Sequence, residues 1–425
     1  MFKNLKEIKK HTLLSKKEEE IILSKEKPIV IVNKNNKRYI SENVAPNINR
    51  LGVMIAYTPL HILLFRYLNN PIIATSANLK DEAIIKTCED IYLKLSNVVE
   101  FVLDFNREII NACDDSIVQI VNNDIQVLRS ARAYAPLSLK VENKFNKKVL
   151  ALGANQKNSI SIAFENNIIS SPYIGDLNSI VSMEYFQRTI NTFKGFYDFE
   201  PDLIVCDKHP NYETTKWAKA QNKELIQIQH HYAHVLSCMA EYNLDEDVLA
   251  FAFDGTGYGD DGNIWGGEVF IANRQTYKRV YHLEYFRLLG GEKAVKEPKR
   301  VALSLLFDNF TIDEVLLMNN PCVNSFTKDE IEIYYKMWQK GLNAPLTSSI
   351  GRLFDAISSF ADILQTQSYE GETGLQIEKY YDETIINAYE YSLFKDKIDI
   401  SKTIKQIVLD KEKSLICTKF LNMIV

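Results

Sequence analysis

Residues 248–270 decide the fold of the second half of this chain, and they read VLAFAFDGTGYGDDGNIWGGEVF. An apolar run from 248 to 253 is followed by a glycine-rich acidic stretch and then by a second apolar run. This order predicts a strand, a turn and a returning strand. The dinucleotide fingerprint needs a helix after its glycines and the P-loop needs a GK[ST] sequence, so the segment is neither motif.

The glycines of this turn indicate a chemical use. Glycine tolerates positive φ and has no side chain, so backbone N–H groups at such a turn can approach a phosphate closely. A strand, an acidic turn and a returning strand are typical of nucleotide-phosphate loops of the actin and sugar-kinase type. The alternative is an ordinary glycine-rich hairpin turn, which these residues alone do not exclude.

Three of the seven histidines lie together at residues 229–234, which read QHHYAH and follow a predicted strand. On a helix, His230 and His234 project from one face at the separation that lets two imidazoles bind one cation. We expect His231 to point elsewhere. With Asp254 at the end of the next strand, the set suits iron or zinc. The alternative is a group of partly buried histidines bonded to the backbone.

Two differently patterned regions meet at the polar stretch 144–148, so we place a domain boundary between residues 143 and 144. Both regions alternate short apolar runs with helical periodicity, which indicates an α/β fold class. The predicted strands are 28–32, 71–74, 99–103, 148–152, 159–164, 203–206, 225–228 and 248–253, and the predicted helices are 58–68, 82–95 and 181–199.

Composition argues against several classes of protein. The chain has 50 basic and 55 acidic residues, interspersed, with a formal charge of -5 and no positive stripe for nucleic acid. Its apolar runs are far too short to cross a bilayer. Six cysteines without a CxxC pair argue against a disulfide framework and a cysteine zinc site. We expect a cytoplasmic protein of two or three domains without nucleic-acid or membrane partners.

The histidine cluster and the glycine-rich turn together resemble the Kae1-like domain of the HypF carbamoyltransferases. Similar pieces continue in family order with IGDL at 174–177, GGEKA at 290–294, GRLFDA at 351–356 and YEG at 369–371. Upstream, YTPLH at 57–61, TSANL at 75–79 and DDS at 114–116 resemble the later part of the family's YrdC-like domain. The resemblance implies a partial YrdC-like α/β domain at 1–143. It also implies a Kae1-like α/β domain, of the actin, sugar-kinase and ribonuclease-H-like type, at 144–425.

The same resemblance implies an ATP-dependent carbamoyltransferase of nickel–iron hydrogenase maturation. In the YrdC-like domain, carbamoyl phosphate and ATP, the latter with Mg²⁺, yield carbamoyl-adenylate. The Kae1-like domain then passes the carbamoyl group to the C-terminal cysteine of a partner maturation protein of the HypE type. An adenylate is a good leaving group and a thiolate an able nucleophile, so the protein mainly has to position and polarise them.

Site residues are carried over by this resemblance at positions that match the family's motifs. The divalent iron or zinc would be held by His230, His234 and Asp254. The nucleotide of the Kae1-like domain would lie against Gly255, Thr256, Gly257, Asp260, Ser349, Gly351, Arg352 and Asp355, the last four of which open a helix. The nucleotide or carbamoyl group of the YrdC-like domain would lie against Ser76, Asn78, Arg129 and Arg132.

Several of these assignments have structural alternatives. Residues 76–78 can cap a helix instead of binding a ligand. Arg129 and Arg132 can be solvated charges on an edge strand. Arg352 and Asp355, three residues apart, can form an intrahelical ion pair.

The family normally carries an acylphosphatase-like domain, two zinc-finger modules and the first YrdC-like strands ahead of the part matched by residue 1. After the part matched by residue 425 it carries a glycine-rich segment and another acidic metal ligand. We therefore expect a fragment whose Kae1-like domain lacks its last segment and whose activity alone is impaired or absent. The alternatives are a non-catalytic remnant that binds nucleotide or partner, and an O-carbamoyltransferase acting on small molecules.

Overall fold

The computed structural model describes residues 1–35, 40, 41, 43–79 and 82–425. They form two compact units, Met1–Ile228 and Gln229–Val425. Both units combine helices with sheets, so the predicted α/β class is confirmed. The domain boundary predicted between residues 143 and 144 lies inside strand β6, described below, and stays a prediction.

The first part of unit 1 is built on a five-stranded sheet. Its strands are β1 (Thr12–Leu13), β2 (Ile29–Lys34), β3 (Arg50–Val53), β4 (Ile117–Val121) and β5 (Asp124–Arg129). Strand β2 pairs in parallel with β4 and antiparallel with β1 and β3. The helices are α1 (Leu5–His11), α2 (Lys16–Leu23), α3 (Pro59–Tyr67) and α4 (Cys88–Leu95). Apolar side chains of α1, α2 and β2, including Ile8, Ile22 and Val30, form the core.

Two strands predicted in this region are wrong. Residues 71–74 and 99–103 are irregular, and Ile73 and Phe101 are 79% and 90% exposed. An apolar run becomes a strand only where a neighbouring strand takes up its N–H and C=O groups, and tertiary pairing decides where that happens.

The helix predicted at 82–95 is shorter than expected. It begins only at Cys88, because the Thr87 side chain caps it by accepting a hydrogen bond from the N–H of Asp90 at 3.1 Å. The helices predicted at 58–68 and 181–199 are confirmed as α3 and α5 (Ile180–Phe196).

A four-stranded sheet forms the second part of unit 1. Its strands are β6 (Leu137–Ala151), β7 (Ser161–Ser170), β8 (Leu203–Asp207) and β9 (Glu224–Ile228), in the order β7-β6-β8-β9. Strands β6, β8 and β9 are parallel. The helices are α5 (Ile180–Phe196) and α6 (Glu213–Ala220). Phe186 and Ile190 of α5 share a buried cluster with Leu150 and Ile162 of the sheet.

A seven-stranded sheet forms the centre of unit 2. Its strands are β10 (Val248–Tyr258), β11 (Ile264–Ala272), β12 (Tyr277–Leu283), β13 (Phe286–Arg287), β14 (Leu346–Thr347), β15 (Ser392–Phe394) and β16 (Lys397–Asp399). Strands β10 and β11 are antiparallel, with Val248 opposite Ala272, which confirms the predicted strand and returning strand. The predicted turn is shorter than expected, because β10 continues through residues 254–258, with an irregular register between Phe253 and Gly257. Helix α13 (Ile350–Phe360) packs on β10 and also contacts β11.

Ten helices surround this sheet in the described part of unit 2. They are α7 (His230–Glu241), α8 (Glu292–Lys296), α9 (Pro298–Asn309), α10 (Ile312–Leu317), α11 (Pro321–Asn324), α12 (Lys328–Lys340), α13 (Ile350–Phe360), α14 (Glu372–Lys379), α15 (Ser401–Ile407) and α16 (Lys413–Ile424). The core is centred on α9 and α13, with Leu303, Leu306, Leu353 and Ile357 buried. Among the residues described, no helix has the length and apolar content needed to cross a membrane.

Candidate metal and nucleotide site

Helix α7 begins with the histidine cluster. Gln229 caps the helix, because its side-chain oxygen accepts a hydrogen bond from the N–H of Tyr232 at 2.8 Å. His230 and His234 lie one turn apart on the same face, and their Nε2 atoms are 3.2 Å apart. The helical spacing therefore brings two imidazole nitrogens to one point.

Asp254 completes the group from strand β10. Its Oδ2 is 3.2 Å from His230 Nε2, and one ligand atom from each of the three residues lies within 4.8 Å of the others. Two nitrogen ligands that are each about 2.1 Å from a tetrahedral ion stand roughly 3.4 Å apart. The separation of the two Nε2 atoms fits a shared ion, and two imidazoles with a carboxylate suit iron or zinc.

The histidines also set the charge of Asp254. Burial alone would raise the pKa of this carboxyl group. The hydrogen bond from His230 and the charges of His230, His231 and His234 outweigh burial and lower the pKa to about 2. Asp254 therefore offers an ionised oxygen at neutral pH.

His231 lies nearer to this group than predicted, which corrects the expectation that it points elsewhere. Its ring is fully buried, and its Nε2 is 3.8 Å from Asp254 Oδ2. The reason is the close packing of α7 on β10. A Cβ at residue 257 would lie 2.3 Å from His231 Cε1 and 2.8 Å from His230 Cδ2. Gly257 thus lets both rings approach the strand.

The N-terminus of α13 lies against β10 at residues 254 and 255. Ser349 caps this helix by accepting a hydrogen bond from the N–H of Arg352 at 3.1 Å. Its Oγ is also 2.8 Å from the carbonyl oxygens of both Asp254 and Gly255. A Cβ on Gly351 would lie 2.7 Å from Gly255 Cα. The structure therefore brings Gly255, Ser349 and Gly351 together, and a helix N-terminus is a place where phosphate groups bind.

Arg352 and Asp355 form the intrahelical ion pair. Arg352 Nη1 is 3.0 Å from Asp355 Oδ2, and the two side chains are 6% and 1% exposed. Thr373 donates a hydrogen bond to the other carboxylate oxygen at 2.8 Å. Burial raises the pKa of Asp355 to about 6, against the opposing effects of Arg352 and Thr373. The pair holds the guanidinium beside Gly255, where an added Cβ would lie 3.8 Å from Arg352 Nη2.

Thr256 and Asp260 are exposed toward the tip of the β10–β11 hairpin. The Thr256 hydroxyl donates to the carbonyl oxygen of Gly255 at 2.6 Å, and Asp260 accepts a hydrogen bond from Tyr277. Asp260 follows Tyr258, the last paired residue of β10. A nucleotide that touches both Gly255 and Asp260 would have to extend along the hairpin.

Ser76 and Asn78 lie in an irregular segment of unit 1. The Ser76 hydroxyl donates to Asn78 Oδ1 at 2.7 Å, and the Asn78 amide donates to the carbonyl oxygens of Leu79 and Glu82. Neither residue caps α4, because that cap is Thr87. Ser76 is exposed to solvent. The capping alternative is therefore wrong, and ligand binding by these residues stays a prediction.

Arg129 and Arg132 bind acceptors within unit 1. Arg129 Nη1 is 3.3 Å from Asp114 Oδ1, and Arg132 Nε donates to Asp115 Oδ1 at 2.6 Å. The terminal nitrogens of Arg132 donate to the carbonyl oxygens of residues 26 and 27 at 3.0 and 2.8 Å. The two side chains are only 23% and 29% exposed, so they are not solvated edge charges. Arg129 Nε also donates to the carbonyl oxygen of Asp115 at 2.9 Å, so both guanidinium groups have partners within the unit, and phosphate binding by either stays a prediction.

One buried carboxylate beside the hairpin was not predicted as a site residue. Glu268 lies in β11 with no exposed surface. Burial raises its pKa to about 7, although Ser348 and the N–H groups of Gly266 and Gly267 oppose the shift. The sequence did offer a signal for this residue, namely a charged side chain inside a predicted strand of glycines and apolar residues. A charged residue in such a place is buried only where it has dedicated hydrogen-bond partners.

Unit 1 contains two sheets with their helices, and unit 2 places a glycine-rich hairpin against a helix N-terminus. This arrangement defines a protein of the YrdC-like plus Kae1-like class. Family matches agree region by region. Residues 1–131 match the family of Sua5, YciO and YrdC, described as telomere recombination. Residues 144–241 match the HypF Kae1-like domain, and residues 250–425 match the second subdomain of the carbamoyltransferase Kae1-like domain. The chain belongs to the HypF carbamoyltransferase family, which confirms the resemblance seen in its motifs.

Individual relatives agree with this assignment. The chain is 39% identical to carbamoyltransferase HypF of Synechocystis sp., over 100% of this chain and 58% of that protein. It is 34% identical to the probable carbamoyltransferase HypF of Methanocaldococcus jannaschii, over 92% of this chain and 50% of that protein. The chain therefore spans a little more than half the length of the first of these relatives and half that of the second.

Solved structures match as well. A crystal structure of full-length HypF in the phosphate- and nucleotide-bound form superposes with a TM-score of 0.93 at 32% identity, over 100% of this chain and 67% of that chain. The crystal structure of T. kodakarensis HypF superposes with a TM-score of 0.89 at 31% identity, over 98% and 57%.

Proposed function

We propose that this chain carries the carbamoyl-transfer site of an ATP-dependent carbamoyltransferase of hydrogenase maturation. The observation that carries the proposal is the convergence of His230 Nε2, His234 Nε2 and Asp254 Oδ2 beside the N-terminus of α13. The names of the related HypF proteins support the same reaction class.

In this proposal His230, His234 and Asp254 hold a divalent iron or zinc ion. When bound, such an ion polarises the carbamoyl oxygen as a Lewis acid or anchors a phosphate. An aspartate is ionised at neutral pH, so Asp254 binds a cation without first losing a proton.

The nucleotide lies against the glycine-containing end of β10 and the N-terminus of α13. Backbone N–H groups of the first turn of α13 face its phosphates, and the close contact of Gly351 with Gly255 holds that turn against β10. Arg352, held by Asp355, adds a positive charge beside Gly255. A relative solved with phosphate and nucleotide supports a nucleotide ligand for the family.

The transferred group is the carbamoyl of carbamoyl-adenylate, and the acceptor is the C-terminal cysteine of a partner maturation protein. The thiolate sulfur attacks the carbamoyl carbon, the bond from that carbon to the phosphate oxygen breaks, and AMP leaves. The chain's contribution is to hold the adenylate in place and to exclude competing water.

Unit 1 would form the adenylate from carbamoyl phosphate and ATP with Mg²⁺, at Ser76, Asn78, Arg129 and Arg132. A second candidate is a unit 1 that binds nucleotide without catalysis. The engagement of Arg132 by Asp115 and by residues 26 and 27 favours it, since these donors are committed within the unit.

The test supplies the purified chain with carbamoyl phosphate, ATP, Mg²⁺ and Fe²⁺ or Zn²⁺. The acceptor is a peptide that ends in cysteine, and a matched peptide that ends in serine is the control. Transfer appears as one carbamoyl group on the cysteine peptide by mass spectrometry. Absence of both transfer and ATP–pyrophosphate exchange, with ATP still bound, would establish the binding-only candidate. Transfer to small hydroxyl compounds but not to the peptide would show that the carbamoyl acceptor is a small molecule and not a partner protein.

A further inference from the structure

The buried carboxylate of Glu268 joins three donors from two segments of unit 2. Its Oε2 accepts hydrogen bonds from the N–H groups of Gly266 and Gly267 at 2.6 and 2.7 Å. Its Oε1 accepts one from the Ser348 hydroxyl at 2.5 Å, and Arg279 Nη1 is 3.9 Å away. A fully buried carboxylate loses the hydration of its charge, so a set of donors this complete is what allows it to remain there.

The partners of Glu268 are the residues that touch the back of the candidate site. A Cβ on Gly266 would lie 2.5 Å from the carbonyl oxygen of Asp254, and one on Gly267 would lie 2.3 Å from the carbonyl oxygen of Ser348. The strand that Glu268 holds is therefore in direct contact with the backbone of a proposed metal ligand.

The other partner leads to the helix. Ser348 precedes Ser349, whose Oγ is 2.8 Å from the carbonyl oxygens of Asp254 and Gly255 and caps α13. The direct partners of Glu268 are therefore residues that contact, or are adjacent in sequence to, the two parts of the site, namely residues 254 and 255 of β10 and the N-terminus of α13.

We infer that Glu268 is a positioning residue, which ties β11 to Ser348 and so holds residues 254 and 255 of β10 and the N-terminus of α13 in register with each other. The identity of the ligand in this inference rests on the proposed function. The role of Glu268 in holding the two backbone segments does not depend on which ligand binds.

The expected effect follows from which bonds a substitution keeps. Glu268→Ala leaves two N–H groups and one hydroxyl buried without their acceptor, so both segments should loosen. Glu268→Gln keeps the shape. Its amide oxygen can accept from the glycine N–H groups, and its NH₂ can donate to the Ser348 hydroxyl, which also accepts. Rescue by glutamine would therefore separate positioning from a need for charge.

Two measurements test this on the purified chain. Hydrogen exchange is followed for segments 264–268 and 347–355, and Co²⁺ is titrated by its visible absorption, which reports the coordination geometry. In Glu268→Ala we expect exchange at least about 10-fold faster in both segments. We also expect Co²⁺ affinity lower by about 10- to 100-fold, with an altered spectrum. Glu268→Gln should return both measurements close to the wild-type values.

Glu314→Ala is the matched control. It also removes a carboxylate that accepts a backbone N–H and a hydroxyl, in the capping box of α10, and it should change neither measurement. Wild-type exchange of 347–355 in Glu268→Ala, or a Glu268→Gln variant as impaired as Glu268→Ala, would overturn the inference.

The variant can fail to fold, and the wild-type chain can fail to bind Co²⁺. If Glu268→Ala does not fold, Glu268→Asp replaces it, because the shorter side chain withdraws the carboxylate from the same donors. Wild-type behaviour of Glu268→Asp in both measurements would overturn the inference. If the wild-type chain gives no Co²⁺ spectrum, the metal part of the proposed function fails, and hydrogen exchange alone decides the role of Glu268.

Discussion

His230 and His234 come together because one helical turn separates them, whereas Asp254 reaches them from a strand packed on that helix. Replacing His234 by alanine should weaken Co²⁺ binding by at least about 100-fold, since the ion loses one of three protein ligands. Isothermal titration calorimetry of the purified chain measures this. The control is His209→Ala in unit 1, where the histidine ring stacks on Tyr212. An equal loss in that control would contradict the assignment.

Glu268 should make stability depend on pH. Its pKa rises from 4.5 to about 7 in the folded chain, so between these values the folded chain keeps a proton that the unfolded chain has lost. Stability contributed by this group is therefore lost as the pH rises through that range. In Glu268→Gln, the decline in unfolding free energy between pH 5 and pH 7.5 should be smaller by on the order of 1–3 kcal/mol.

Urea unfolding followed by tryptophan fluorescence at the two pH values measures this difference. The variant should still lose some unfolding free energy as the pH rises. The pKa of Asp355 is also raised, to about 6, so Asp355 titrates in the same pH range. Identical declines for wild type and Glu268→Gln would show that Glu268 ionises at its ordinary pKa in the folded chain.

At the scale of elements, the contact between α13 and the hairpin depends on two glycines. In Gly351→Ala the new Cβ would lie 2.7 Å from Gly255 Cα and 3.2 Å from the Asp254 carbonyl oxygen. These are backbone atoms that cannot rotate away, so α13 must shift. Binding of a fluorescent ATP analogue should weaken by at least about 10-fold, although alanine favours the helix itself by roughly 1 kcal/mol.

Gly195→Ala is the matched control for that substitution. This glycine lies in α5, and an added Cβ there meets nothing within 4 Å. The control should leave nucleotide binding unchanged and stabilise unit 1 by about 0.5–1 kcal/mol. Wild-type nucleotide affinity in Gly351→Ala would show that nucleotide binding does not depend on the contact between α13 and the hairpin.

At the scale of the whole molecule, the two compact units should respond differently to metal. All three proposed ligands lie in unit 2. An ion that binds only the folded unit stabilises it by about 2.7 kcal/mol at 100 times the Kd. In differential scanning calorimetry, Co²⁺ should therefore raise the melting temperature of the unit 2 transition and leave that of unit 1 unchanged. An equal rise in His234→Ala would place the ion elsewhere.

Several features could be predicted from the sequence because their causes are local. The spacing of His230 and His234 follows from helical periodicity, and the hairpin follows from two apolar runs on either side of a glycine-rich turn. The family was recognisable because its motifs are contiguous and occur in order. The strand at 99–103 was predicted wrongly because its cause is not local. An apolar run forms a strand only where a partner strand pairs with it.

The sequence by itself determined the α/β class, the family and the identity of the two imidazoles that share one helix face. Only the tertiary structure decided that His231 approaches Asp254, that Arg132 is engaged by residues 26 and 27, and that Glu268 is buried with Ser348 as a partner. The physical reason is that burial and hydrogen bonding between segments far apart in the chain depend on how those segments pack, and no local pattern contains that information.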